Sequence, residues 1–354
     1  MLPVHFSFII IITYICPTLC SRTSTAFKII PLGVKGGSDE SNLSAYLVTT
    51  EGSSAYICLD AGTLYAGVYK SVEYGVWGKN AVPDKIFRDN IKAYLISHAH
   101  IDHVNGLITN SAEEHKDKIK PIYALRNVID NLREHYFNWN SWPNMGNNGQ
   151  YPINRYHYNV LQEGEKLSIL KDPDITVTPY SLSHSKVGFS SKTYGSTAFL
   201  IESHGNYLLY LGDTGADEIE KTDKLQHLWS KVAPLIKQKK LRAIFIEVSF
   251  QNNEKLANEL YGHLTPKLLM KEMIKLRNLT WEQMEKDSRG SGTKGDALKG
   301  LHIIITHMKP SRRFIVPHIE DKEEHIKKEL LKENQDLKLG LKFQYPKQGK
   351  LMRF

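Results

Sequence analysis

Ser97-His98-Ala99-His100-Ile101-Asp102-His103 packs three imidazoles and a carboxylate into six residues, directly after the apolar run Ala93-Tyr94-Leu95-Ile96. Imidazole and carboxylate are donors that suit zinc and related divalent ions, and a short loop leaving a strand can aim alternate side chains at two neighbouring ions. The spacing predicts a metal site in which His98 and His100 face one ion while Asp102 and His103 face a second. A histidine-rich surface loop without chemistry is the competing reading, and the strand that feeds the loop speaks against it.

Such a site needs further ligands, and three residues follow similar apolar, β-branched runs. His184 comes after Ile175 to Leu182, Asp213 after Tyr207 to Gly212, and His307 after Leu301 to Thr306. Strand ends are where loops converge when strands share a direction in a sheet. Any one of the three alone reads as a satisfied His or a turn Asp; together, in this order, they do not read as chance.

This order of motifs, a His-x-His-x-Asp-His loop, a single His, Leu-Gly-Asp-Thr-Gly and then Ile-Thr-His, resembles the metallo-β-lactamase superfamily. The resemblance implies an αββα sandwich, mixed α and β, with two metal ions, zinc first, at one edge. It implies that His98, His100 and His184 hold one ion, that Asp102, His103 and His307 hold the other, and that Asp213 bridges them. Narrower stretches are similar to class II cyclic nucleotide phosphodiesterases: His98 to Ala112, with Ile101 where Leu is usual, Trp142-Pro143-Asn144, Gly262 to Pro266, and Thr306 to Pro310. The substrate so implied is a 3′,5′-cyclic nucleotide, cyclic AMP or cyclic GMP, opened to a nucleoside 5′-monophosphate.

The chemistry follows from charge. A phosphodiester repels hydroxide, and two cations about 3.5 to 4 Å apart neutralise the phosphoryl oxygens and bind the attacking oxygen. Zinc lowers the pKa of bound water to about 7, so a bridging hydroxide is available at neutral pH. Asp102 could orient that hydroxide or accept its proton. The departing oxygen needs a proton or a positive partner. His263, flanked by Gly262 and by Thr265-Pro266, is the candidate, with Glu247 at the end of Phe245-Ile246-Glu247 to orient it. The bland alternative is a residue at a helix entry, since Thr before Pro starts helices well.

At 354 residues, with 41% apolar, the chain is ample for one domain with a sizeable core. Helical stretches at Leu125 to Phe137, Ile219 to Gln238 and Thr265 to Leu279 alternate with strands, which predicts mixed layers. Val128, Leu132 and His135-Tyr136 recur at helical spacing and read as core packing. Asn138 to Tyr158 reads as a long aromatic loop, in which Trp139, Trp142, Tyr151 and Tyr156 either stack a purine or pack onto the sandwich. Glu282 to Lys299 is polar and Gly-rich and reads as a mobile insert.

Phe6 to Ile15 has the length of a secretory h-region, so residues 1–26 read as a cleaved signal peptide, with an uncleaved anchor as second choice. The remainder, 27–354, is then one phosphodiesterase domain in a periplasmic or secreted enzyme without stable membrane association. Cys16 and Cys20 belong to the leader or its edge, and Cys58 is left as a small core residue. The formal net charge of +8 could draw in an anionic nucleotide, although scattered lysines usually form a solvated surface. Lys309, Arg312 and Arg313 follow His307 closely and are either phosphate contacts or solvent-exposed. A ribonuclease Z type tRNA endonuclease, another small-substrate hydrolase and a non-catalytic sensor are the alternatives. A secretion signal and the lack of a Gly-rich basic arm speak against tRNA, so no nucleic-acid partner is expected.

Overall fold

The computed structural model describes residues 26–113, 118–186, 193–252, 259–285, 293–310 and 321–354. Residues 1–25 of the proposed leader, the Ser288 to Gly292 stretch and Arg312 and Arg313 lie outside the described residues.

Strands in both halves of the chain are apolar on both faces, which is the pattern of sheets covered on both sides. In β1 (Phe27–Gly33), Phe27 and Ile29 enter one buried cluster while Ile30 and Leu32 enter another. Strands β2 (Ala45–Thr50), β3 (Tyr56–Leu59), β4 (Ile91–Leu95), β5 (Lys120–Leu125) and β6 (Tyr156–Leu161) extend this first sheet. The second holds β7 (Leu167–Lys171), β8 (Asp174–Lys186), β9 (Thr193–Ser203), β10 (Asn206–Leu211), β11 (Leu241–Glu247), β12 (His302–Thr306) and β13 (Lys342–Gln344). A short strand β14 (Met352–Arg353) returns to pair with β1, so that among the described residues each sheet has seven strands.

The two sheets face each other across Phe27, Ile29, Tyr46, Val48 and Leu95 on one side and Val177, Phe199, Ile201, Tyr210 and Phe245 on the other. Phe245, packed between the rings of Tyr46 and Tyr210, illustrates the cost of loosening this layer: truncation to Ala removes about 3–5 kcal/mol. Helices α1 (Tyr65–Glu73), α2 (Pro83–Asp89), α3 (Ile101–Thr109) and α4 (Arg126–Asn131) cover the outer face of the first sheet through Val68, Phe87, Val104, Leu107 and Val128. Following the short α5 (Asp217–Glu220), helices α6 (Lys224–Lys237), α7 (Pro266–Glu285) and α8 (Lys322–Asp336) cover the second sheet through Leu228, Trp229, Leu269, Met273 and Leu330. The layers run helix, sheet, sheet, helix.

Several local expectations are corrected. The stretch from Ile219 is two helices, because Lys221 takes a left-handed backbone (φ 59°) that no helix can continue through. Helix α7 runs on to Glu285, into what read as an insert. The last turn after α4, Leu132–Tyr136, is wound as a π-helix, which leaves His135 exposed rather than in the core. Tyr156 is not a loop residue: it is buried at the start of β6 and donates its hydroxyl to the Leu107 carbonyl at 3.2 Å, so it cannot meet a base. Trp142 is half-buried against the core and donates to Ser111 Oγ at 2.9 Å, whereas Trp139 and Tyr151 are exposed. Cys58 is free and buried.

Candidate metal centre

Strands β10, β11 and β12 are parallel, as are β3 and β4, so their carboxyl ends deliver residues to one edge. His98, His100, Asp102 and His103 leave β4, with Asp102 in the first turn of α3, where the helix N-terminus favours a carboxylate. Asp213 follows β10, Glu247 ends β11 and His307 follows β12. His184 differs from expectation: it lies inside the long β8, at a bulge marked by Ser185 (φ 59°), and the bulge turns the strand there. Gly212 permits the approach of the two sheets, since a Cβ there would sit 2.4 Å from the Ser97 Cβ. Thr197 Oγ1 donates to the Ser97 carbonyl across the same seam at 2.8 Å.

All seven expected ligands converge. Asp213 lies at the centre, with Oδ1 3.3 Å from His103 Nε2 and Oδ2 3.2 Å from His307 Nε2, 3.7 Å from His184 Nε2 and 3.8 Å from His98 Nε2. His184 Nε2 is 3.1 Å from His100 Nδ1, and His307 Nε2 is 3.2 Å from Asp102 Oδ2.

Hydrogen-bond accounting fixes a proton on the outward nitrogen, Nδ1, of His184, His103 and His98. The Gly262 carbonyl, 2.9 Å from His184 Nδ1, can only accept, so Nδ1 donates and the Nε2 lone pair faces inward. Gly262 has a positive φ of 72°, and a Cβ there would overlap Ser185. His103 Nδ1 donates to Asp60 Oδ2 at 2.8 Å. Ser97 Oγ gives its proton to the same Asp60 oxygen and is left to accept from His98 Nδ1 at 3.0 Å. His98 Nε2 and His103 Nε2 are buried and have no hydrogen-bond partner among the described residues. Inward lone pairs beside carboxylate oxygens make no hydrogen bonds with one another. Ligand atoms around one tetrahedral zinc-sized ion stand about 3.3 Å apart, close to the spacings observed here. The donor set therefore fits divalent metal ions.

Electrostatics agree. Burial holds His98 well below its ordinary value and lowers His184 to about 4, keeping both rings neutral. Burial also works to lower His103 and His307, but Asp213 and Asp60 outweigh it at His103, and Asp213 and Asp102 at His307, so both are raised and each favours a positive charge, a second proton or a cation, at the nitrogen facing Asp213. Burial disfavours the charged Asp213, yet His307 and His103 hold it well below the usual carboxylate range. A dry pocket that stabilises this much positive charge suits cations.

Glu247 accepts from His263 Nδ1 at 2.7 Å and from Thr214 N at 3.1 Å, and the same His263 nitrogen lies 3.7 Å from Asp213 Oδ2. Lys309 Nζ sits over the Phe250 ring at 5.3 Å, and that ring packs edge-on against His263.

Sequence reasoning missed Asp60. Wholly buried, it accepts from Ser97 N (2.7 Å), Ser97 Oγ (2.8 Å), His103 Nδ1 (2.8 Å) and the Tyr210 hydroxyl (2.6 Å). Burial, then Asp60 itself, raises the Tyr210 phenol, which stays a donor. The signal was present: Asp60 follows the apolar Tyr56 to Leu59, as Asp213 and His307 follow their strands. Tyr194, also missed, lays its half-exposed ring 4.8 Å from that of His100.

The family model of the class-II cAMP phosphodiesterases matches residues 25–349. The chain belongs to that family. This phosphodiesterase is 38% identical over 344 residues to the 3′,5′-cyclic-nucleotide phosphodiesterase of Aliivibrio fischeri, covering 94% of each chain. Unliganded yeast PDE1 superposes with a TM-score of 0.79 at 22% identity, over 93% of this chain and 100% of that one. The metallo-beta-lactamase fold protein YhfI from Bacillus subtilis gives 0.56 at 14% identity, over 93% and 99%. The expected metallo-β-lactamase sandwich is thus the fold, and the enzyme is a cyclic-nucleotide phosphodiesterase.

Proposed function

We propose that this phosphodiesterase opens 3′,5′-cyclic AMP or cyclic GMP to the nucleoside 5′-monophosphate at a dinuclear zinc site. His98, His100 and His184 would hold one ion, Asp102, His103 and His307 the other, and Asp213 both. One observation carries the reading: three rings from both sheets, His98, His103 and His184, are locked with Nδ1 donating outward and Nε2 lone pairs turned toward Asp213. When bound, such ions neutralise phosphoryl charge and lower the pKa of coordinated water, which is what diester hydrolysis needs near neutrality.

The protein's own groups do the rest. Asp102, held by the Gly37 amide at 2.9 Å, has an oxygen in position to orient the attacking water or take its proton. His263 serves the departing 3′ oxygen, and Glu247 fixes its tautomer and compensates its charge. The buried walls exclude bulk water and strengthen each of these interactions.

Turnover of cyclic AMP and cyclic GMP by the purified protein, before and after chelation and with zinc restored, tests this. Activity is expected to vanish and return with the ion, with no cleavage of pre-tRNA. Full activity in protein stripped of metal, or no turnover of either cyclic nucleotide, refutes it. Export is proposed on the Phe6 to Ile15 run alone, and N-terminal sequencing of the mature protein decides it.

A further inference from the structure

Ser249 stands two residues beyond Glu247, buried to within 3% of full occlusion, and no step above uses it. Its Oγ lies 2.5 Å from Glu247 Oε2, 3.0 Å from His307 Nδ1, 3.2 Å from the His307 carbonyl and 3.3 Å from His263 Nδ1. A serine hydroxyl has one proton to give and two lone pairs with which to accept. A carboxylate oxygen at 2.5 Å is a stronger acceptor than a carbonyl at 3.2 Å, so the proton goes to Glu247. Ser249 must then accept from His307, whose Nδ1 carries a proton, so that Nε2, 3.2 Å from Asp102 Oδ2 and from Asp213 Oδ2, is the nitrogen left for an ion. His263 needs nothing from the hydroxyl, because its Nδ1 proton is already given to Glu247 Oε1 at 2.7 Å.

We infer that Ser249 is a positioning residue that sets the tautomer of His307 and so makes ligation by that ring depend on Glu247, the carboxylate that also orients His263. The inference rests on the dinuclear reading above. The direction of one hydroxyl proton then ties the ion-binding ring to the acid that serves the leaving group. Reversing that proton would put the His307 proton on Nε2 and remove the lone pair from the site.

The test measures ion affinity by chelator competition with zinc alone, separately from turnover. In Ser249→Ala the second ion is expected to bind about 10- to 100-fold more weakly, the scale on which partners of metal-bound histidines act. Ser249→Thr, which keeps the hydroxyl, restores it. A second readout leaves the serine in place: in the zinc-loaded natural protein, nitrogen NMR of the His307 ring is expected to find the proton on Nδ1, the nitrogen 3.0 Å from Ser249 Oγ. The inference is overturned if Ser249→Ala binds both ions as the natural protein does, or if Ser249→Thr is no better than Ser249→Ala. Should Ser249→Ala fail to fold, a zinc-loaded natural protein whose His307 ring carries no proton on Nδ1 overturns it. If the natural protein itself binds fewer than two ions, it is the dinuclear reading that fails instead.

Discussion

Asp60→Asn changes one atom in a wholly buried residue, and the structure prices the change. Oδ2 accepts from three groups and Oδ1 from the Ser97 amide, so the amide oxygen will take the place of Oδ2. The new NH2 then faces the Ser97 N–H, donor against donor, which costs about 1–3 kcal/mol for buried unsatisfied groups. Each of the three surviving bonds passes from a charged to a neutral acceptor and loses about 1 kcal/mol. The expected destabilisation of the metal-loaded protein is about 4–6 kcal/mol. Urea unfolding with an unchanged m-value measures it. His103 loses its charged partner as well, so ion affinity should fall by about 10- to 100-fold in the same variant. A variant within about 1 kcal/mol of the natural protein would show that Asp60 does not organise the Ser97 to His103 loop.

His263→Ala is expected to keep both ions and lose about 10²- to 10⁴-fold in turnover; metal analysis finding the variant metal-free would place His263 among the ligands instead. Asp213→Ala should lose ions and activity together, and a variant that retains two ions removes Asp213 from the centre of the site. In metal-free protein, burial holds His184 at about 4 against an ordinary 6.5, so the unfolded chain binds more protons between those values. Stability from this group is present above pH 6.5 and is lost as pH falls toward 4. His184→Gln should flatten that fall in urea midpoints taken across the window, and an unaltered slope contradicts the assignment.

The seven candidate ligands, which the fold brings together, were legible because each stands at or near the end of an apolar run, and strand ends of one sheet direction meet in space. Asp60 obeyed the same rule but has no second signal. Its partners lie 37, 43 and 150 residues away, and a lone Asp before Ala-Gly looks like a turn. Ser249 gave no signal in the sequence, since a hydroxyl set between a carboxylate, a carbonyl and a ring shows no periodicity. The aromatic loop misled at Tyr156, where the polar His157, Tyr158 and Asn159 hide a strand that pairs in register with Lys120 to Leu125. The bulge at Ser185 was illegible because it depends on β9 and on the backbone of Gly262, neither adjacent in sequence.

The Thr197 to Ser97 bond and the close pass of Gly212 mark a suture between two halves of the polypeptide, one carrying residues 98 to 103 and the other residues 184 to 307. On the dinuclear reading proposed above, an ion held by both halves acts as a clasp, and its occupancy enters the folding equilibrium directly: free ion at a hundredfold excess over its dissociation constant adds about 2.7 kcal/mol. Growth medium and purification buffer thereby become determinants of how tightly the two sheets close, and amide exchange along the suture should quicken on chelation before any strand frays.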